Sequence, residues 1–456
     1  MFGIDRSVQN KLHESEYGIY FAVFNFTYLF QILLDFGLQN YNARNVATDV
    51  RKLNDLLPNI LLFKTILFVL YIIACVSFAY PLGYTNFSFL YVIIINHFLL
   101  SFIIYLRSNV SAHQYFVTDS LLSVLDKLLM IFFCALLIWG KTNIELTILN
   151  FTLAQLFAYA ITFIICLIIS LRLGDKLKFT ISIDKLFSII KTSAPYAIAY
   201  FLMTTYYRID GVMLEQMSGR TETGIYAQGY RIIESINNIG YLFSVILLPI
   251  FSYYIAQYKN LKEILFPSLN IILVIIVAVV GLFYFQADDI MKLLYHSNQA
   301  YSAKVFSWLI LNFIPIGLLY VLGTLLTAKE SFRVMLPTLA IAVLLNIIFN
   351  YVLIKKSGAV GAAQATLFTQ LFVLFVYSIY IFKNLALKIN YIKVIKMMLF
   401  IALSIFSILY LNYKFNDPSF FSIALRSSFY LVIVGISAII FGIINKDLLT
   451  LETGIR

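Results

Sequence analysis

The chain has 456 residues, 61% hydrophobic and 12% charged, with a mean hydropathy of +0.90, and no water-soluble domain of this length hides so much apolar surface. A formal charge of +11 would in a soluble protein suggest nucleic acid, but here the Lys and Arg are spread over many short loops, as in the cytoplasmic loops of a multi-span membrane protein. Nucleic acid is therefore set aside as a partner. Cys75, Cys134 and Cys166 lie in apolar stretches without disulfide or metal-ligand spacing, and the four histidines are scattered, so neither a metal nor another cofactor is expected. The start of the chain has no apolar core of signal-peptide length.

A helix needs about 20 apolar residues to cross hydrocarbon, which offers no water to open backbone groups. On that basis the sequence predicts an all-α integral membrane protein with thirteen spans. The first seven are Tyr17–Leu38, Leu57–Tyr80, Phe89–Leu106, Leu121–Trp139, Leu146–Leu171, Ile189–Leu214 and Tyr230–Ala256. Then follow Ile264–Phe285, Val305–Leu326, Met335–Ile354, Gly361–Phe382, Val394–Leu411 and Ile423–Ile444. One alternate set of loops is rich in Lys and Arg, among them Arg44, Arg51, Lys52, Arg107, Arg172, Lys176, Lys178, Lys185, Lys329 and Arg333. That set is expected in the cytoplasm, with the carboxyl terminus inside and, by the odd count, Met1 outside.

The stretches "SEYGIYFAVFNF" and "TETGIYAQGYRI" resolve that awkward start. An offset of 206 residues superposes Gly18-Ile19-Tyr20 on Gly224-Ile225-Tyr226, and three residues more superpose "LLPNIL" on "LFPSLN". A span, a basic loop and the start of the next span thus recur in order, as in the two halves of many transporters. The second copy has a full span before it and the first does not. The repeat therefore predicts two pseudo-symmetric six-helix lobes plus two further C-terminal helices, with the opening helix of the first lobe missing and Met1 an internal methionine or a truncation point. The predicted divisions are 1–185, 186–388 and 389–456.

At Tyr17-Gly18-Ile19-Tyr20, Leu34-Asp35-Phe36-Gly37-Leu38 and Arg44 the sequence resembles the second helix and following loop of polysaccharide-transport flippases, the O-antigen and capsule repeat-unit translocases. These belong to the multidrug/oligosaccharidyl-lipid/polysaccharide exporter superfamily. The stretch Tyr206–Ile232 is similar to that family's seventh helix, outer loop and eighth helix. The resemblance implies a two-lobed transporter in a bacterial inner membrane. It would move an undecaprenyl-diphosphate-linked oligosaccharide between leaflets by alternating access, beside the glycan polymerase machinery.

A charge inside hydrocarbon costs about 2.5–3.5 kcal/mol on insertion scales, so each asks for a partner or a hydrated cavity. Thr204, Arg208, Gly211 and Glu215 fall on one helical stripe, with Asp210 turned away, and Arg231, Glu234, Asn238 and Tyr241 form another. Asn346 and Asn350 also share a face. The reading of these residues is a cationic central cavity. Lys64, Lys127, Arg208 and Arg231 attract the diphosphate, Glu234, Asn238, Asn346 and Asn350 also line the cavity, and polar amides and tyrosines hold sugar hydroxyls. Alternatives stand beside it: Lys64 can snorkel to head groups, Lys127 can pair with Asp126, and Arg231 can pair with Glu234 one turn on. Asp35, Asp126 and Asp210 are the candidates for proton or ion coupling. Pro195, Pro249 and Pro315 interrupt helices where bending could occur.

No nucleophile–base or paired-carboxylate arrangement stands out, so no catalytic residue is assigned and the protein is not expected to be an enzyme. The nearest rival function is an ion-coupled multidrug exporter of the same superfamily, and a more distant one is an integral-membrane glycan polymerase or acyltransferase. The loop charges yield a direct prediction. Fused to the carboxyl terminus, a fluorescent protein should mature and an exported phosphatase should stay inactive; the reverse pattern would invert the assigned topology.

Overall fold

The computed structural model describes residues 2–140, 144–174, 183–386, 390–415 and 417–444, with side chains left undescribed at 2, 40, 41, 43, 44, 47, 183–190, 192 and 193. The side chains of Arg44 and Lys185, residues Lys176 and Lys178, and the boundary drawn at 388/389 fall outside these. The chain forms two compact units, Met1–Gly224 and Ile225–Arg456.

The first unit contains α1 (Phe2–Lys11), α2 (Glu14–Leu29), α3 (Leu38–Thr48), α4 (Leu53–Ala79), α5 (Ser88–Ala112), α6 (Phe116–Trp139), α7 (Ile148–Leu173) and α8 (Ile183–Ser218). It ends within the first turns of α9 (Arg220–Ala256). Helix α5 packs along α7, α7 along α6, and α2 along α8. Leu57, Ile60, Tyr105, Leu106, Val110 and Cys166 are among the buried residues of its core.

The second unit holds the rest of α9, α10 (Lys262–Phe285), the short α11 (Ala287–Leu294), α12 (Gln299–Leu311), α13 (Phe313–Ala328), α14 (Phe332–Asn384), α15 (Tyr391–Lys414) and α16 (Phe420–Ile440). Helices α15 and α16 close a core with α10 through Val274, Phe400, Ile408, Tyr430 and Val434. Arg426 of α16, almost wholly buried, ties this corner down. It donates to Asp289 Oδ2 at 2.8 Å and to Asn412 Oδ1 at 3.3 Å, so the charge is paired where apolar packing would otherwise strand it.

Among the described residues, ten helices are long and apolar enough to cross a membrane. One of them, α14, covers two predicted spans in a single 53-residue run bent at Ser357 and Gly358, whose φ of +53° with ψ of −129° suits glycine. The Tyr301 hydroxyl meets the Ser357 carbonyl that the bend exposes. Helices α2 and α8 account for the two remaining predicted spans, giving a multi-pass all-α membrane protein.

The predicted first span, Tyr17–Leu38, departs from expectation because it is not one helix. After Leu29 the chain tightens into a 3-10 turn over Gln31–Leu34, and Phe36 and Gly37 then take positive φ of +44° and +82° before α3 begins. Left-handed backbone at a bulky residue such as Phe36 costs energy that the surroundings must offset. The offset comes from Leu34, whose carbonyl accepts from both Lys64 Nζ and Ser101 Oγ.

The repeat is written into the helix starts. Glu14 and Arg220, which open α2 and α9, differ by the offset of 206, and Leu53 and Lys262, which open α4 and α10, differ by 209. The two Gly-Ile-Tyr glycines meet at a crossing that lies inside the first unit. A methyl group on Gly18 would overlap the Arg220 carbonyl, and one on Gly224 would overlap the Glu14 carbonyl. Because 14 maps to 220 and 18 to 224, each contact is the copy of the other, the self-complementary pattern of a two-fold contact. Tyr20 and Tyr226, the two motif tyrosines, are each 1% exposed.

This geometry predicts that Gly18→Ala and Gly224→Ala each destabilise the protein by about 1–3 kcal/mol, the usual range for overpacking. Gly435→Ala, where an added methyl meets nothing within 4 Å, should be neutral. Thermal denaturation in detergent measures all three, and equal midpoints for Gly18→Ala and Gly435→Ala would contradict the close crossing.

Candidate functional site

The polar groups on helices α2 and α8 converge on Arg208. Along α8 the predicted stripe faces α2 and the loop after α4. Thr204 is buried, a methyl on Gly211 would strike Asn25 and Phe21, and Glu215 accepts from the Tyr84 hydroxyl at 3.0 Å. Burial pushes the pKa of the Tyr84 hydroxyl above its ordinary value, so it remains a donor to Glu215.

Between these points the half-buried Arg208 donates from Nη1 to Asn25 Oδ1 at 3.1 Å, and its guanidinium carbon lies 4.6 Å from the Tyr28 ring centre. The Tyr28 hydroxyl is 3.4 Å from that of Tyr200, and the ring stands edge-on to His97 with centroids 5.6 Å apart. His97 is fixed in turn by Thr27 Oγ1 at 3.1 Å. The result is a planar cation backed by an aromatic face and an amide. The parts suit an oxyanion of phosphate and the hydroxyls and flat faces of sugars.

The other cations anticipated from sequence are placed differently. Lys64 is 0% exposed, and its Nζ lies 2.9 Å from Asp35 Oδ1, so two candidates from separate predicted roles form one ion pair. Lys127 is 53% exposed and reaches back 3.0 Å to its neighbour Asp126, which is buried. Asp210 is buried. In the second unit Arg231 Nη1 meets Glu234 Oε2 at 2.7 Å, and the exposed Asn238 donates to the Glu234 carbonyl. Asn346 and Asn350 are both fully buried and bonded to each other at 3.0 Å.

Asn25, His97 and Tyr200 were not singled out from sequence. Asn25 and Tyr28 sit at i and i+3, a spacing that marks a shared face, but nothing local announces a partner 183 positions away.

The geometry defines an all-α multi-pass membrane protein with internally repeated helix starts and buried cations, and comparison with known proteins adds a family. The family described as polysaccharide biosynthesis protein matches residues 7–255, and the family described as MatE matches residues 195–352. The first match spans more than half of the chain, so the chain belongs to the polysaccharide biosynthesis protein family.

Comparison with curated proteins finds no match. Among solved structures, the lipid II flippase MurJ in an inward closed conformation is similar at 14% identity, covering 97% of this chain and 96% of that one with a TM-score of 0.75. An inward-facing multidrug resistance MATE family transporter is similar at 14% identity, with 84% and 94% covered and a TM-score of 0.67. A superfamily transporter from Pyrococcus furiosus, described as having a binding pocket of reverse polarity, is similar at 13% identity, with 84% and 91% covered and a TM-score of 0.61. At these identities the likeness establishes the fold.

The stacking of Arg208 on Tyr28 yields a prediction. In a double-mutant cycle, Tyr28→Leu and Arg208→Met should show a coupling of about 0.5–2 kcal/mol in thermal or denaturant unfolding, the range for cation–π pairs. Strict additivity would mean the two side chains do not interact.

Proposed function

We propose that this protein translocates a lipid-linked oligosaccharide repeat unit, carried on an undecaprenyl-type diphosphate, across the bacterial inner membrane during O-antigen, capsule or exopolysaccharide synthesis. The observation that carries this reading is the Arg208 centre, a half-buried guanidinium with amide and tyrosine neighbours inside the segment matched by the polysaccharide biosynthesis family. A diphosphate presents oxygens that guanidinium binds in bidentate fashion, and the tyrosines around it suit sugar rings. In the second unit Arg231 can exchange its Glu234 partner for an anionic oxygen, since that carboxylate is one-third exposed and so held loosely by solvent-screened attraction. Alternating exposure of such a site to the two leaflets moves the head group without an enzymatic step. A membrane-bound glycan polymerase is the natural consumer of the product.

The MatE match supports a second reading, an ion-coupled exporter of small molecules. Organic cations, the commonest drug class for such exporters, would be repelled by an arginine-centred site, so the lipid-linked anion is preferred.

The double substitution Arg208→Ala with Arg231→Ala should abolish surface glycan at unchanged protein abundance, while lipid-linked repeat units accumulate on the inner leaflet. Surface glycan at wild-type level would sink the proposal. Export of single, unpolymerised units would point instead to a polymerase.

A further inference from the structure

The break between α2 and α3 carries a separate chemistry. Lys64 of α4 is wholly buried, and its ammonium is held by three oxygens: the Leu34 carbonyl at 2.8 Å, Asp35 Oδ1 at 2.9 Å and Ser101 Oγ at 2.8 Å. Phe102 and Tyr105 turn their ring faces to it from 5.7 and 5.8 Å. A carbonyl freed by an unwound helix is a group with which transporters hold Na⁺ or H⁺, and here a carboxylate and a hydroxyl add two further oxygen donors. Here the cation is part of the chain.

The duplicated half supplies an internal control. By the repeat offsets, Leu34 and Asp35 correspond to Gly240 and Tyr241, and Lys64 corresponds to Leu273. There α9 runs unbroken from Arg220 to Ala256. Where the lysine and aspartate are absent, so is the break; where the helix opens, an ammonium fills the opening. Lys64 is thus matched to the broken backbone, and no part of its charge reaches the surface.

We propose that Lys64 is a tethered cation occupying a monovalent-cation site of the first unit, so that no external ion is loaded there. Shortening Lys64 uncovers that site for potassium, ammonium or sodium. The site is independent of the substrate reading, since it depends only on Leu34, Asp35, Ser101 and Lys64.

The test uses purified full-length protein and its thermal unfolding midpoint, titrated with potassium, sodium or methylammonium chloride against choline chloride at equal ionic strength. Lys64→Ala should show a saturable upward shift with a small cation that choline does not reproduce. The wild type should show no such shift, and Asp35→Asn combined with Lys64→Ala should lose it. Lys64→Gln keeps most of the side-chain volume and leaves Asp35 unneutralised, so it gives the same readout should the alanine variant fold poorly. The proposal is overturned if neither single variant responds to any of the three cations, if the wild type responds equally, or if the response survives Asp35→Asn.

Discussion

Hydrocarbon supplies no water to a charge or an open carbonyl, and the arrangement of this protein turns on how one such opening is closed. At Leu34 the backbone leaves the helix, and its carbonyl would be stranded at a cost of several kcal/mol. Lys64 and Ser101 both donate to it, and Asp35, one residue on, neutralises the lysine while its other oxygen faces the Gln39 amide at the start of α3. One ammonium therefore permits the break in α2, places α3 and satisfies a carboxylate. The same rule governs Arg426 with Asp289 in the second unit, where the chain supplies the partner oxygen to a buried guanidinium.

Duplication shapes the rest. The two copies keep their helix starts and their glycines, and the glycines meet, so that a local motif becomes a contact between its own repeats. They differ in the helix that follows the motif. The first copy has an opened helix sealed by a charge. The second has a continuous one, with Gly240 pressed against the Tyr320 ring.

Much of the fold was legible in the sequence because lipid makes hydropathy a strict code. Every predicted span has a helix, even the pair joined in α14, whose bend falls at the Lys-Lys-Ser-Gly that separates its apolar runs. The duplicated starts were legible too. The break in α2 was not, because "FQILLDFGL" is as apolar as the helix before it and only Gly37 hints at a turn. Nor was the pairing of Lys64 with Asp35, which lies 29 positions away and on another helix. Helical periodicity did place Arg208 and Glu215 on one face, but Asn25, Tyr28 and His97, which help complete the site, come from α2 and α5. Such contacts are fixed by packing, which a single sequence does not display.

The proposed transport of lipid-linked anions rather than of drugs is open to direct measurement. Purified protein is reconstituted into vesicles carrying a fluorescent polyprenyl-diphosphate oligosaccharide in one leaflet, and its arrival in the other is followed by a membrane-impermeant quencher. Protein-dependent translocation of this lipid, slowed by Arg208→Ala, is the expected result. Folded protein that leaves the lipid in place while accumulating an organic cation would contradict it.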